Sequence, residues 1–171
     1  MDFAIRQHPA GAPLALDVCS LLREVFVGEG FTPRNQANEA FDAEKLAVRG
    51  TRWVAAAIAP PRPVGTVFLV DYTSSFRQIT VEGELEVHLL AVARSHRRSG
   101  VAHALVKECV REARERGARC LVLSTQPMMQ AAHALYEKHG FARAPERDWS
   151  RADGRHFLAF VLELASETGA T

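Results

Sequence analysis

The stretch that decides the fold runs from Glu86 to His103 and reads EVHLLAVARSHRRSGVAH. Its first part, Val87 to Val92, is an apolar run with strand character, and residues 97–100 form a basic turn that ends in a glycine. The residues that follow Gly100 have the spacing of an amphipathic helix. Free backbone N–H groups and the positive end of the helix dipole meet at such a turn. The stretch therefore predicts a binding site for a phosphorylated ligand.

On both sides of this stretch, hydrophobic periodicity and turn residues predict a series of strands and helices. Their order is β-α-α-β-β-β-α-β-α-β-β, which indicates a mixed α/β sheet with helices on both faces. Residues 71–83 are predicted to extend a hairpin, and the tail from 165 to 171 is predicted to fray. The predicted strands are residues 3–7, 53–58, 64–70, 84–92, 120–125, 141–143 and 157–164, and the predicted helices are residues 14–27, 38–48, 101–116 and 127–139.

The composition limits the classes of protein that need to be considered. With 171 residues, 47% of them hydrophobic, and no repeat or long linker, the chain is expected to form a single domain over residues 1–171. A formal net charge of +1 gives no electrostatic reason to expect nucleic acid or a membrane as partner. No apolar run reaches about 18 residues and the N-terminus does not look like a signal peptide. We therefore expect a cytoplasmic location.

The cysteine and histidine patterns give no sign of a metal site. Cys19, Cys109 and Cys120 are scattered and odd in number, which favours buried thiols in a reducing compartment over a disulfide or a nucleophile. Neither a Cys-x-x-Cys pair nor an H-E-x-x-H pattern occurs. The sequence therefore predicts no metal.

Two motifs decide which phosphorylated ligand is expected. A P-loop and a G-x-G-x-x-G fingerprint are both absent, and the turn reads Arg97-x-x-Gly100-x-Ala102 instead. That segment resembles the acyl-CoA signature [QR]-x-x-G-x-[GA] of the GCN5-related N-acetyltransferases (GNAT). Residues 131–141, AAHALYEKHGF, resemble the family's second segment, A-x-x-L-Y-x-K-x-G-F. With both motifs in the expected order, the chain is identified as a member of this family.

The resemblance implies a GNAT-type fold, with a central, mostly antiparallel mixed sheet of about seven strands, and a site for acetyl-CoA as cosubstrate. Backbone amides from Arg98 to His103 would hold the pyrophosphate, and Gly100 would let the backbone approach it. In this family the strand before the turn carries a bulge and splays from the strand after the helix, where the pantetheine arm enters. An N–H near Leu90 or Val92 would polarise the acetyl carbonyl. The implied cofactor-binding residues are Leu90, Ala91, Val92, Arg97, Arg98, Ser99, Gly100, Val101, Ala102 and His103.

Acetylation needs a neutral amine, whereas an alkylamine with a pKa of about 10 is mostly protonated near pH 7, so a base is expected. Glu86 and His88 are the candidates, because they lie two apart on one strand and share a face. Glu86 resembles the glutamate base of the histone-acetylating branch, and His88 a histidine of the arylalkylamine branch, so the choice stays open. Tyr136 matches the family tyrosine near the coenzyme sulfur and is the candidate acid. For all three, an ordinary structural role is the alternative.

One position departs from the family pattern. The residues that would bind the acceptor are indicated only by side-chain type. Many relatives have an asparagine that bonds the pantetheine arm where this chain has Met129, so that contact is missing or comes from Ser124, Thr125 or Gln126. Aromatic residues would form an acceptor pocket and arginines would attract a carboxylate-bearing acceptor, with ordinary packing or solvation as the alternative. The aromatic candidates are Phe31, Phe41, Trp53, Tyr72 and Trp149, and the arginine candidates are Arg34, Arg147 and Arg151.

The sequence thus predicts an N-acetyltransferase that transfers the acetyl group of acetyl-CoA to a primary amine of a small molecule or peptide. The amine would attack directly in a ternary complex, without a metal or a covalent enzyme intermediate. Alternatives are another acyl-CoA or acceptor, such as a hydroxyl, or a CoA-binding regulatory or sensor module with little or no turnover. The resemblance also allows a homodimer, since dimers are common in the family.

Overall fold

The computed structural model describes residues 3–13 and 15–164, and within these ranges it contains eight strands and five α-helices. The predicted mixed α/β fold is confirmed, and the strand that sequence reasoning missed is the two-residue strand at Trp149–Ser150. The strands are β1 (Phe3–His8), β2 (Thr51–Ala57), β3 (Arg62–Asp71), β4 (Glu84–Val92), β5 (Cys120–Thr125), β6 (Ala142–Arg143), β7 (Trp149–Ser150) and β8 (His156–Glu163). The α-helices are α1 (Leu16–Leu22), α2 (Ala37–Ala40), α3 (Ala43–Ala47), α4 (Val101–Glu115) and α5 (Gln130–Lys138).

The strands form one sheet in the order β1-β2-β3-β4-β5-β8-β6, and β7 pairs with β8. Every pair is antiparallel except β4 with β5, which are joined by the α4 crossover. The parallel pairing covers only Glu84–Val87 opposite Cys120–Leu123. From residue 88 onward the two strands separate, so the edge of β4 that faces β5 has no partner strand over its last five residues, 88–92.

A β-bulge bends β4 just beyond this point. Against β3, His88 is opposite Phe68 and Ala91 is opposite Thr66, so that two residues of β4 face one residue of β3. Leu89, inside the bulge, has a φ of +52°, which an L-residue rarely adopts. A bulge redirects the side chains that follow it and interrupts regular pairing. The bulge and the splay that the resemblance implied are therefore both present.

Two hydrophobic clusters cover the two faces of the sheet, and alternate residues of β3 point into each. Val67 and Leu69 pack with α4 and α5, whereas Phe68 packs with α1 and the short helices. Gly65 lies where α4 crosses β3, and a Cβ placed there would be 2.5 Å from Cγ1 of Val101. The absence of a side chain at Gly65 thus lets α4 approach the sheet closely, and this contact sets the position of the turn that precedes α4.

The helices on the other face differ from the prediction. The first helix was predicted over residues 14–27; α1 begins at Leu16, and the chain continues as a π-helical segment over Arg23–Val27, while Leu14 lies outside the described residues. The single helix predicted over residues 38–48 is wrong, because α2 and α3 are separate. The Asp42 side chain accepts a hydrogen bond of 2.9 Å from the backbone N–H of Lys45 and so starts a new helix.

Two further predictions need correction. Residues 72–83 contain no strand, so they form a loop rather than an extended hairpin. The loop is held by carboxylates of the following strand, an arrangement that periodicity does not reveal. Helix α5 begins at Gln130 rather than Pro127, because the backbone turns at Gln126–Met129 with a hydrogen bond of 3.0 Å from the Met129 N–H to the Gln126 carbonyl. The predicted tail from 165 to 171 lies outside the described residues.

Candidate active site

The turn before α4 presents a row of unpaired backbone N–H groups. The amides of residues 98–103 have no acceptor among the described residues, and the first bond into the helix is a 3.0 Å bond from the Ala104 N–H to the Gly100 carbonyl. Gly100 has a φ of +87° and Arg98 one of +58°. A Cβ built on Gly100 would meet nothing within 4 Å, so the space beside this residue is open. This geometry suits an anion.

The side chains of the turn are less available than its backbone. The guanidinium of Arg97 forms an ion pair with the Glu29 carboxylate. The Ser99 hydroxyl donates a hydrogen bond to the His96 carbonyl. Arg98 is exposed and makes no ion pair with a described residue. The backbone amides and the Arg98 charge are therefore the groups of the turn that remain available to an anion.

A long cleft of about 600 Å³ runs from this turn between β4 and α5. Its walls include Glu29, in the turn after the first helical segment, and Met128, near the start of α5. Of the ten predicted cofactor-binding residues, Ala91 is buried in the opposite hydrophobic cluster and Ser99 does not line the cleft. The predicted residues that do line it are Leu90, Val92, Arg97, Arg98, Gly100, Val101, Ala102 and His103.

A smaller inner cavity of about 230 Å³ adjoins the long cleft. Four residues line both spaces: Phe26, Leu90, Met129 and Ala132. The inner cavity is thus reached where β4 and β5 separate, just beyond the bulge. Two molecules bound in the two spaces would meet at these shared residues.

Glu86 lies behind the inner cavity rather than in its wall. Its carboxylate is fully buried and accepts hydrogen bonds from the backbone N–H groups of Gln78 at 2.9 Å, Ile79 at 3.3 Å and Thr80 at 3.3 Å. Burial alone would raise the pKa of Glu86, but the neighbouring His88 and these N–H groups outweigh it and hold the pKa below its usual range. Glu86 is thus an anchored, charged carboxylate that fixes the preceding loop.

His88 lines the inner cavity and joins Glu86 to Arg49. Its Nδ1 is 3.0 Å from Nη1 of Arg49, and its Nε2 is 3.1 Å from Oε1 of Glu86. An arginine can only donate, so Nδ1 is the acceptor and the ring proton is on Nε2. That N–H is not well aligned with the Glu86 oxygen, so the contact is chiefly electrostatic. Sequence reasoning missed Arg49, because a single arginine after a weak helix carries no motif.

Tyr136, from α5, also lines the inner cavity. Its ring packs on Phe141 and Phe160, with centroid distances of 5.6 Å and 6.4 Å, and its hydroxyl bonds no described residue. Burial raises the pKa of the hydroxyl far above its usual value, so Tyr136 stays protonated at neutral pH. The phenol can therefore donate a proton or a hydrogen bond into the cavity.

The polar groups that would replace the family asparagine at Met129 are already engaged. The Ser124 hydroxyl donates to Gln78, at 3.2 Å, and the Gln126 amide donates to the Phe31 carbonyl, at 2.7 Å. Thr125 contacts His133 at 3.2 Å between Oγ1 and Nε2. The surface around Met129 is thus mainly apolar, because its nearby polar side chains already have partners.

The predicted acceptor residues divide into structural and cavity-lining groups. Trp53 is in the core and donates a hydrogen bond of 2.8 Å to Glu112, and Arg147 binds Glu84 at 2.7 Å. Phe41 and Arg151 line the inner cavity. Phe31 lines the long cleft instead, and Tyr72, Trp149 and Arg34 line neither space.

The described residues contain neither a cluster suited to a metal ion nor a helix suited to a membrane. No group of three or more His, Cys, Asp or Glu side chains there is arranged to hold a metal ion. None of the helices in residues 3–13 and 15–164 is both long and apolar enough to cross a bilayer.

The fold and the turn agree with the comparison with known families. Residues 16–141 match the model of the Acetyltransferase (GNAT) family, and the chain belongs to that family. The resemblance inferred from the two sequence motifs is confirmed.

The chain is also similar to individual acetyltransferases, at low sequence identity. The chain is similar to N-acetyltransferase 8 of Homo sapiens, with 33% identity over 88 residues, which is 50% of this chain and 39% of that protein. An acetyltransferase of the GNAT family from Staphylococcus aureus Mu50 superposes with a TM-score of 0.71 at 15% identity, covering 95% of this chain and 100% of that one. A Bacillus subtilis acetyltransferase solved in complex with CoA gives a TM-score of 0.66 at 18% identity, with coverage of 95% and 100%.

Proposed function

We propose that the protein is an N-acetyltransferase that transfers the acetyl group of acetyl-CoA to a primary amine of a small molecule or peptide. The observation that carries the proposal is the junction of the two spaces. A cleft that begins at a row of free amides meets a cavity that contains an imidazole and a protonated phenol. Membership of the GNAT family supports the same activity.

The residues of the long cleft fit coenzyme A. The pyrophosphate would bind the amides of residues 98–103, where six N–H groups have no acceptor among the described residues. The pantetheine arm would lie against Leu90 and Val92, along the part of β4 that has no partner strand. An N–H exposed there would stabilise negative charge on the acetyl oxygen during attack.

The structure favours His88 as the group that takes the proton from the amine, with Glu86 as a positioning residue behind it. His88 reaches the inner cavity and Glu86 does not. The charged carboxylate at 3.1 Å stabilises the imidazolium that forms when Nδ1 accepts a proton. Because Nδ1 is bonded to Arg49, proton transfer requires Arg49 to release that nitrogen.

Tyr136 would complete the reaction on the leaving-group side. The amine lone pair forms the new C–N bond, the tetrahedral centre collapses, and the C–S bond breaks to give a thiolate. The Tyr136 hydroxyl, kept protonated by burial, supplies a proton to that sulfur. The chain's residues thus perform the transfer in a ternary complex by direct attack.

Turnover of an amine panel tests the proposal. The purified protein is mixed with acetyl-CoA and a panel of amines, amino acids, peptides and aminoglycosides, while free thiol and acetylated product are measured together. We expect one thiol released for each acetylated amine, and a loss of at least about 100-fold in kcat for His88→Gln. The exposed His156 provides the control, because His156→Gln should leave kcat unchanged.

The alternatives give different outcomes of this experiment. Tight acetyl-CoA binding without acetylation of any amine would overturn the proposal and favour a CoA-binding sensor. Faster transfer from another acyl-CoA, or transfer to a hydroxyl, would revise the donor or the acceptor.

A further inference from the structure

We propose that the acceptor amine carries a carboxylate that binds Arg49 and is attracted by Arg151, so that the acceptor is a free amino acid or a similarly small amino-carboxylate. This inference rests on the proposed acetyltransferase function and specifies the substrate of the same site. It follows from the charges, the size and the hydrogen bonds of the inner cavity.

The inner cavity carries an excess of positive charge. Three arginines line it, namely Arg49, Arg151 and Arg155. Arg155 is neutralised by Asp153, at 2.8 Å, whereas Arg49 and Arg151 form no ion pair with a described residue. The acids that act on these two arginines from a distance are Glu86, which lies behind His88 and already accepts hydrogen bonds from backbone amides, and Asp153, which pairs with Arg155. The described walls therefore provide two guanidinium groups that no carboxylate of a described residue contacts directly.

The described surroundings of Arg49 and Arg151 contain no carboxylate in direct contact with either guanidinium group. Arg49 lies 4.7 Å from the Phe76 ring, and its Nε is enclosed without a hydrogen-bond acceptor. Burial and the positive charge of Arg151 lower the pKa of Arg49 to about 10. Arg151 lies at the exposed mouth of the cavity, 5.6 Å from the Trp149 ring. The enclosed guanidinium of Arg49, which contacts an aromatic face and an imidazole, is suited to a carboxylate, whose geometry matches the guanidinium fork, and Arg151 adds a second positive charge at the mouth.

The size and the remaining walls define the rest of the acceptor. A cavity of about 230 Å³ admits a molecule of amino-acid size rather than a folded protein. Phe26, Phe41, Leu89 and Phe157 form an apolar part of the lining beside its polar groups. A short apolar side chain next to the amine and the carboxylate fits these walls.

The same arrangement links carboxylate binding to the proposed base. Arg49 donates to His88 Nδ1 at 3.0 Å, so the imidazole has no free acceptor while that bond persists. A carboxylate is a stronger acceptor than an imidazole nitrogen and draws the guanidinium toward itself. His88 Nδ1 is then free to take the proton of the amine. The positive cavity also disfavours an ammonium group, which promotes loss of that proton.

A comparison of matched acceptors tests the inference. Initial rates are measured for a panel of apolar L-amino acids and for the same amino acids as primary amides, at saturating acetyl-CoA. We expect kcat/KM to be at least about tenfold higher for each accepted acid than for its amide. Arg151→Gln and Arg49→Gln should each reduce this acid-to-amide ratio by about tenfold. A general loss of activity cancels in the ratio, whereas the effects of the carboxylate on binding and on the release of His88 by Arg49 both remain in it.

A control variant and a binding readout separate the outcomes. Arg62 is exposed at the start of β3 and lines neither space, so Arg62→Gln should leave the ratio unchanged. Equal kcat/KM for acids and amides, or an unchanged ratio in the two arginine variants, would overturn the inference and leave the acetyltransferase function intact. No turnover of any amine by protein that binds acetyl-CoA would overturn the proposed function and this inference with it. Arg151→Met, which also removes the charge but keeps the length of the side chain, replaces Arg151→Gln if the latter does not fold.

Discussion

At the scale of single residues, the two base candidates have different positions. Glu86 and His88 share a strand face, as their spacing predicts, yet the loop of residues 72–83 covers Glu86 and leaves His88 in the inner cavity wall. The sequence cannot show this difference, because it depends on where the loop amides lie. The structure thus gives a reason to separate a proton acceptor from the carboxylate that supports it.

Replacing Tyr136 with phenylalanine tests its role as the acid. The ring packing on Phe141 and Phe160 would be kept, while the hydroxyl that faces the inner cavity would be lost. We expect kcat to fall by about 10- to 100-fold with little change in acetyl-CoA affinity. Steady-state kinetics and calorimetry check this result. An unchanged kcat in the phenylalanine variant would remove Tyr136 from the mechanism.

Glu86 should also contribute to stability in a pH-dependent way. Its pKa in the folded protein is below the ordinary glutamate value of about 4.3, so its contribution is fully present above that pH and is lost as the pH falls through the lower folded-state pKa. At pH 7, Glu86→Gln should cost about 1–3 kcal/mol, because an amide replaces an acceptor for several buried N–H groups. The deficit should shrink below about pH 4.

Urea unfolding at pH 7 and pH 3 measures the deficit at Glu86. The exposed Glu163 on β8 serves as the control, and Glu163→Gln should change stability by less than about 0.5 kcal/mol at either pH. A deficit for Glu86→Gln that is equal at both pH values would show that the charge of Glu86 is not what stabilises the loop.

At the scale of elements, the strands were predicted better than the short helices. Strands β4 and β5 are apolar runs whose burial on both faces leaves a clear pattern, so their bounds were found from sequence. The break between α2 and α3 was missed because the Asp42 cap lies inside a weakly periodic segment. Strand β7 has two residues, too few for any periodicity. The bulge in β4 came from family resemblance alone, since no residue type there requires it.

The crossing of α4 over β3 gives a prediction at this scale. In Gly65→Ala the new Cβ would lie 2.5 Å from Val101 Cγ1 and 3.0 Å from Leu105 Cδ1, so α4 must shift. We expect a loss of about 1–3 kcal/mol in the free energy of unfolding. Because Val101→Ala removes the nearest atom, the double variant should cost less than the sum of the two single changes. Strict additivity in urea unfolding would contradict the proposed contact.

At the scale of the whole molecule, the site depends on two features far apart in sequence. The separation of β4 from β5 opens the inner cavity, and the start of α4 provides the amides. The sequence motifs identified the amides and the tyrosine. Arg151 was among the arginines expected to attract a carboxylate-bearing acceptor, but its position with Arg49 in one cavity could not be predicted, since only the fold brings them together and neither belongs to a motif. The acceptor side was therefore the part that required the structure.

The most direct test of the proposed coenzyme A site is to measure, by calorimetry, how tightly two matched glycine variants bind acetyl-CoA. Gly100 and Gly117 lie at opposite ends of α4, both have positive φ, and neither has an atom within 4 Å of a built Cβ. A glutamate is therefore comparably strained at both positions. We expect Gly100→Glu to weaken acetyl-CoA binding by at least about 100-fold, because a side chain and a negative charge occupy the pyrophosphate site. Gly117→Glu should bind like the parent protein, and equal binding by both variants would contradict the account.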